Sequence, residues 1–64
     1  MKRRDLERHL KAHGCEFDHH GGRHDVWVNL ANGRDAAVPR HNEIKPGTAR
    51  AICRQLDVPE STKK

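Results

Sequence analysis

Apolar residues recur at helical spacing near both ends of the chain. Leu6 and Leu10 lie four positions apart, and Gly14 follows where a glycine commonly terminates a helix. This pattern predicts a helix over residues 2–13. A second stripe at helical spacing predicts a helix over residues 47–56, and it consists of Ala49, Ile52, Cys53 and Leu56.

Between these two segments the apolar spacing changes to two residues, which is typical of strands. It predicts three strands, over residues 15–20, 24–30 and 34–39. Gly21-Gly22 is expected to form a two-residue loop in the first hairpin. Ala31-Asn32-Gly33, with Gly33 in the left-handed conformation, is expected to form a three-residue loop in the second. Pro39 ends the third strand, which is therefore predicted at a sheet edge.

These loop lengths predict a register for the sheet and a face for each residue. The pairs across the first hairpin are Cys15 with Val28, Phe17 with Val26, His19 with His24 and His20 with Arg23. Those across the second are Val28 with Ala36 and Val26 with Val38. The inner face of the middle strand would then carry His24, Val26, Val28 and Leu30. The outer face would be acidic, with Glu16, Asp18, Asp25, Asn29 and Trp27.

The order helix, three antiparallel strands, helix predicts an α+β domain of two layers, with both helices on the one apolar face of the sheet. A single domain is expected over residues 1–64, with a short tail at 59–64. The large candidates for the core are Leu6, Leu10, Phe17, Val26, Val28, Leu30, Val38, Ile44, Ile52 and Leu56. So small a core predicts marginal stability, and we expect a partner protein or a dimer to add to it.

Charge favours a polyanionic partner. The 13 Lys and Arg exceed the 9 Asp and Glu, which gives a net charge of +4. Residues 1–13 carry five basic and two acidic side chains, as do residues 34–56, whereas residues 14–33 carry one basic and three acidic. Because the acidic sheet face would repel phosphate, we expect RNA to approach the helix side and the hairpin edge.

The N-terminal segment lacks the apolar run of a secretory signal peptide. The two cysteines, Cys15 and Cys53, are therefore expected to be reduced thiols. No apolar run approaches the roughly 18 residues of a membrane span. The sequence therefore predicts a cytoplasmic protein that does not contact a membrane.

Several short motifs resemble those of the HicA family of bacterial toxin–antitoxin systems. They are Gly22-Arg23-His24, Val26-Trp27, Ala37-Val38-Pro39 and the run from Glu43 to Thr48, Glu-Ile-Lys-Pro-Gly-Thr. The resemblance extends over residues 2–58. It implies a fold like the double-stranded RNA-binding domain, an mRNA-cleaving toxin and neutralisation by a HicB-like antitoxin. A hetero-oligomer with that antitoxin is one expected state. The catalytic histidine of the family corresponds to His24.

A catalytic His24 has a structural alternative, a hydrogen-bonded histidine buried in the core. Histidine suits RNA cleavage without a metal or other cofactor, since its pKa of about 6.5 allows proton transfer near neutral pH. His19 is the candidate for the complementary acid or base. The candidate RNA-binding residues are Arg23, Lys45, Gly47, Thr48, Arg50 and Arg54. For Gly47 and Thr48, the alternative is an ordinary helix start without a ligand. For Lys45, Arg50 and Arg54, the alternative is a charged face that contacts only solvent.

Three other functions remain open from the sequence. The first is an RNA-binding module without catalysis on the same basic surface. The second is a small interaction protein that uses an exposed Trp27 as its anchor. The third is a zinc-stabilised domain, whose ligands would come from Cys15, His19, His20, His24 and His41, with His9 and His13 as a weaker pair.

Overall fold

The computed structural model describes residues 1–60, which form two helices and three strands in the predicted order. The elements are α1 (Arg3–Ala12), β1 (Cys15–His20), β2 (His24–Asn29), β3 (Asp35–Pro39) and α2 (Pro46–Leu56). The strands make one antiparallel sheet in the order β1-β2-β3. The predicted α+β class is confirmed, and each element bound differs from its predicted value by at most one residue. Of the predicted tail 59–64, residues 61–64 lie outside the described residues.

Both helices lie on the same face of the sheet. α1 packs against β1 and α2 packs against β3, and their apolar stripes meet in one core cluster. Gly14, with a φ of +84°, reverses the chain after α1, while Pro46 begins α2 at a position where its fixed φ suits a helix. The buried apolar residues are Leu6, Leu10, Cys15, Trp27, Ala36, Val38, Ile44, Ala49, Ile52, Cys53 and Leu56.

The two faces of β2 are the reverse of those predicted. Trp27 is only 3% exposed and Asn29 is also buried, whereas Val26 and Val28 are half-buried on the outer face. Burying an indole removes more apolar area from water than burying a valine. The side chain of Asn29 is hydrogen-bonded in the interior. Its Nδ2 donates to the Leu56 carbonyl, and its Oδ1 accepts from the Ala31 backbone amide. The prediction that Trp27 and Asn29 are on the outer face is therefore wrong.

The register of the first hairpin also differs from the prediction. The observed pairs are Cys15 with Asn29, Glu16 with Val28, Phe17 with Trp27, His19 with Val26 and His20 with Asp25. The loop between His20 and Asp25 thus contains residues 21–24 rather than Gly21-Gly22 alone, and a bulge lies between Phe17 and His19. A bulge inserts an unpaired residue, so the faces before and after it no longer follow one alternation.

The second hairpin is shifted from its predicted register by one residue. Val28 lies opposite Asp35, and Trp27 lies opposite Ala36. The turn contains residues 30–33, closed by the Asn29 amide, which donates to the Arg34 carbonyl over 2.8 Å. Gly33 has the expected left-handed backbone, with a φ of +76°. Since Ala36 and Val38 still face the core, the one-residue shift places Trp27 inside and Val28 outside.

Four of the ten predicted core residues are therefore not buried. Phe17 is 43% exposed and Leu30, which lies in the turn rather than in a strand, is 63% exposed. Val26 and Val28 are half-buried. The other six are buried as predicted, and most of them lie on the helices, where no loop length affects the spacing. Within residues 1–60, no helix is long and apolar enough to cross a membrane.

Candidate functional site

His24 is the first residue of β2 and lies exposed on the outer face of the sheet. The face of β2 that carries it is the one that neither helix covers. Within the described part of the chain, its imidazole makes no hydrogen bond or ion pair. The expectation that His24 shares the core face is wrong, because the shifted register directs it outward. The side chain is consequently free to contact a ligand.

Gly21 fixes the backbone next to this histidine. Its amide donates to the His24 carbonyl over 2.8 Å and closes the loop of residues 21–24. A Cβ atom at Gly21 would lie 2.9 Å from that carbonyl oxygen, closer than side chains tolerate. Glycine is therefore required for this close approach, and the tight loop sets where β2 begins.

The outer face has three rows of paired residues. From the hairpin end, these are His24 with Pro39, then His19 with Val26 and Ala37, then Glu16 with Val28 and Asp35. The two carboxylates lie at the end away from the hairpin, and the two histidines lie near it. Asp25, predicted on this face, has the parity of the core side. A phosphate group would therefore be repelled at one end of the face only.

His19 lies on the same face as His24 but not directly opposite it. Its partner across the sheet is Val26, two residues along β2, which makes the histidines diagonal neighbours. Diagonal neighbours are about 7–8 Å apart, within reach of one ligand for long side chains. The carboxylate of Asp18 accepts a hydrogen bond from His19 Nδ1 over 2.8 Å, which leaves Nε2 unoccupied.

A groove begins beside the strand partner of His24. Its volume is about 290 Å³, and it is lined by Pro39, His41, Glu43, Ile44, Lys45 and Thr48. Lys45 is the residue directly before α2, and Gly47 and Thr48 lie in the first turn of that helix. Two predicted RNA-binding residues, Lys45 and Thr48, therefore share a groove with Pro39, the residue paired with His24 across the sheet. His41, named from the sequence only as a possible zinc ligand, also lines this groove.

The remaining predicted RNA-binding residues lie outside the groove. Arg23 is exposed in the hairpin loop directly before His24. Arg50 and Arg54 are exposed on α2, one turn apart, on a side that faces away from the core stripe. His24 and His19 thus lie on the outer face near the first hairpin, with Arg23 on its loop, while Lys45 and Thr48 line a groove that includes the strand partner of His24. The two helix arginines extend the positive surface.

Arg40 and Asp25 form a cluster that the sequence did not reveal. Arg40 Nε donates to Asp25 Oδ1 over 2.8 Å, and the same oxygen accepts a hydrogen bond from His20 Nδ1 over 2.8 Å. These hydrogen bonds, first from Arg40 and then from His20, hold the pKa of Asp25 below its usual value. β3 ends beside the first hairpin, so Arg40, the residue after Pro39, reaches the loop that contains Gly21 and Gly22, and no local motif in the sequence indicates this neighbour.

The protein-interaction and zinc hypotheses lose their basis in this geometry. Trp27 is buried and offers no exposed anchor. Within residues 1–60, no three His, Cys, Asp or Glu side chains gather closely enough to hold a metal ion. Cys15 and Cys53 are buried free thiols, and burial, followed by the nearby Cys53, raises the pKa of the Cys15 thiol.

Comparison with protein-family models gives one result that covers most of the chain. The model described as the HicA toxin of bacterial toxin–antitoxin systems matches residues 3–58. This range contains every helix and strand described above, together with His24 and the groove. Searches of the curated proteins and of the solved structures returned no match.

Proposed function

Because the chain belongs to the HicA toxin family of bacterial toxin–antitoxin systems, we propose that it is an endoribonuclease that cleaves mRNA with His24. Membership of this family makes the protein a toxin with an antitoxin partner. The observation that carries the proposal is the exposed, unbonded imidazole of His24, whose strand partner Pro39 lines a groove that also contains Lys45. An mRNA substrate implies that the protein acts in the cytoplasm.

The proposed reaction needs two proton transfers and no metal. The 2′-hydroxyl of the RNA loses its proton as its oxygen attacks the neighbouring phosphorus. The 5′-oxygen takes up a proton as its bond to phosphorus breaks. His24 performs one transfer, and a positioned histidine contributes roughly 10²–10⁴-fold to such a step. His19 performs the other, with Asp18 orienting its ring through Nδ1.

Negative charge accumulates on the phosphate during this attack, and nearby cations stabilise it. Lys45 and the free amide groups at the start of α2, near Gly47 and Thr48, supply positive potential at the groove. Arg23 adds charge on the loop, and Arg50 and Arg54 extend the binding surface along α2. Glu16 and Asp35 repel phosphate from the far end of the outer face, which directs the RNA toward the hairpin.

The test compares cleavage by the wild type, His24→Ala and the control His13→Ala. His13 is an exposed histidine on the helix side, where its ring hydrogen-bonds the His9 carbonyl and packs against the His9 ring. With purified RNA and EDTA present, His24→Ala should cleave about 10²–10⁴-fold more slowly, and His13→Ala should match the wild type. Circular dichroism should show the same fold in all three, because His24 is exposed.

Two results would contradict the proposal. Equal cleavage by His24→Ala and the wild type would remove His24 from the reaction. Salt-dependent RNA binding by a wild type that never cleaves would identify a non-catalytic RNA-binding module instead.

The proposed antitoxin is a HicB-like protein that covers the hairpin end of the outer face. Such a cover would bury the half-exposed Val26 and occlude His24, and it would stabilise the small folded domain by mass action. Hydrogen exchange of the co-purified complex should show protection over residues 19–24 and 45–50. Protection elsewhere, with RNA cleavage unaffected by the partner, would refute this placement.

A further inference from the structure

Arg40, the residue after β3, is hydrogen-bonded to the loop of Gly21 and Gly22 that precedes His24. Arg40 Nη2 donates to the Gly21 carbonyl over 2.8 Å, and Nη1 approaches the Gly22 carbonyl at 3.4 Å. Its third nitrogen, Nε, donates to Asp25. The three guanidinium nitrogens therefore contact Gly21 and Gly22 before His24 and Asp25 after it, and they do not contact the imidazole itself.

Arg40 is itself held at its backbone. Arg3, at the start of α1, donates through Nη1 to the Arg40 carbonyl. On the other side, His20 shares the carboxylate of Asp25. The side chain of Asp25 is only 15% exposed and that of Arg40 is 40% exposed, so the pair is more sheltered than an ordinary surface salt bridge. The hairpin is thus connected through Arg40 to the first helix.

We propose that Arg40 is a positioning residue for His24, acting by fixing the glycine loop on which β2 begins. The inference rests on the proposed function, because a fixed imidazole matters only if His24 reacts with RNA. Gly21 and Gly22 allow more backbone conformations than any other residues, so a loop of this composition needs an external restraint. The planar guanidinium supplies several donors in a fixed geometry, which a lysine ammonium cannot reproduce.

This role is distinct from RNA binding. A cation that contacts phosphate contributes to affinity largely through its charge, which lysine keeps. A residue that positions through three directed hydrogen bonds fails when lysine replaces it, although the charge is kept. Arg40→Lys therefore separates the two roles. Arg34→Lys is the matched control. Arg34 is exposed and lies directly before β3, whereas Arg40 lies directly after it.

The experiment measures three quantities in the wild type, Arg40→Lys and Arg34→Lys. In Arg40→Lys, the single-turnover cleavage rate at saturating RNA should fall roughly ten- to a hundredfold, the cost of a small misplacement. Its Kd for RNA should stay within about twofold of the wild type, because the charge is unchanged. The Gly21 amide, bonded to the His24 carbonyl, should exchange with solvent faster. Arg34→Lys should match the wild type in all three.

Each other outcome overturns the inference in a recognisable way. A wild-type rate and unchanged Gly21 exchange in Arg40→Lys would show that the loop needs no such restraint. A weaker Kd for RNA with an unchanged rate at saturating RNA would make Arg40 an RNA contact. A wild type that cleaves no RNA would remove the proposed function and with it the catalytic meaning of the restraint. Gly21 exchange would then still decide whether Arg40 holds the loop.

Discussion

Replacing Asn29 with alanine should destabilise the domain more than any other single change to a polar side chain in the sheet. Asn29 is buried, and its Nδ2 donates to the Leu56 carbonyl over 2.8 Å. Leu56 is the last residue of α2, so this carbonyl is one of those that lack a partner within the helix. Asn29 Oδ1 accepts from the Ala31 amide over 2.9 Å and orders the following turn.

The magnitude follows from these two bonds. One intramolecular hydrogen bond contributes about 1 kcal/mol net, and a buried acceptor left without a donor costs about 1–3 kcal/mol. The Leu56 carbonyl keeps a longer contact from Asn32 Nδ2, at 3.3 Å, which limits that cost. We expect Asn29→Ala to lower the free energy of unfolding by about 2 kcal/mol. This is about half of the roughly 3–5 kcal/mol that a core of this size supplies.

Urea unfolding followed by circular dichroism and by the fluorescence of the buried Trp27 measures this loss. The melting temperature should fall by about 8–16 °C. Asn32→Ala is the control, because Asn32 is exposed, makes the longer bond to the same carbonyl and otherwise only accepts an exposed hydrogen bond from the Arg34 amide. Its cost should stay below about 1 kcal/mol. Equal losses in the two variants would refute the claim that burial of Asn29 determines the difference.

Three further predictions follow from the same geometry. Trp27→Ala should lower the free energy of unfolding by about 3–5 kcal/mol and leave the chain largely unfolded. Val28→Ala, on the outer face, should lower it by about 1 kcal/mol in urea titrations. The register predicted from the sequence would instead make Val28→Ala the more costly change. Because burial raises the pKa of the Cys15 thiol, iodoacetamide at neutral pH should modify it far more slowly in the folded protein than in urea, and equal rates would argue against its burial. The lowered pKa of Asp25 means that its ion pairs stabilise the fold above its unfolded pKa of about 4 and are lost as pH falls through the folded value. Melting temperatures across acid pH should therefore fall less steeply for Asp25→Asn than for the wild type.

The elements were predictable from the sequence because their signals are local. Helical spacing of Leu6 and Leu10, a glycine after the helix and a proline at the end of β3 each act within a few residues. The same locality explains the buried helix residues, whose faces follow from 3.6 residues per turn with no further information. The order of elements then leaves one sheet face for the helices to cover.

The strand faces were not predictable in the same way, because they depend on loop lengths and on a bulge. A shift of one residue moves every side chain of a strand to the other face. Glycine pairs suggest a two-residue turn, but this hairpin uses residues 21–24 and a bulge after Phe17. Asn29 was also misassigned, because a polar side chain usually faces solvent. Its burial depends on a hydrogen bond to the Leu56 carbonyl, which is 27 residues away in the chain.

The candidate site shows the same division between local and distant information. His24 could be identified from its own motif and the family resemblance, and Lys45 and Thr48 from the start of the helix. Arg40 and Asp25 could not, because their importance depends on which strand ends lie next to each other. A charged residue after an edge strand is usually solvated, and only the register shows that this one reaches the glycine loop.

The reversed face of β2 also reconciles the motif with the fold. In the predicted register, His24 belongs with the residues beneath the helices, where RNA could reach it only if the end of the sheet opened. In the observed register, the same alternation places Trp27 in the core and His24 on the open face, so a single shift secures the core and exposes the imidazole. A substitution that restored the predicted register would therefore expose the indole and bury the histidine together. Stability and activity should then be lost in the same variant, whereas His24→Ala should lose activity alone.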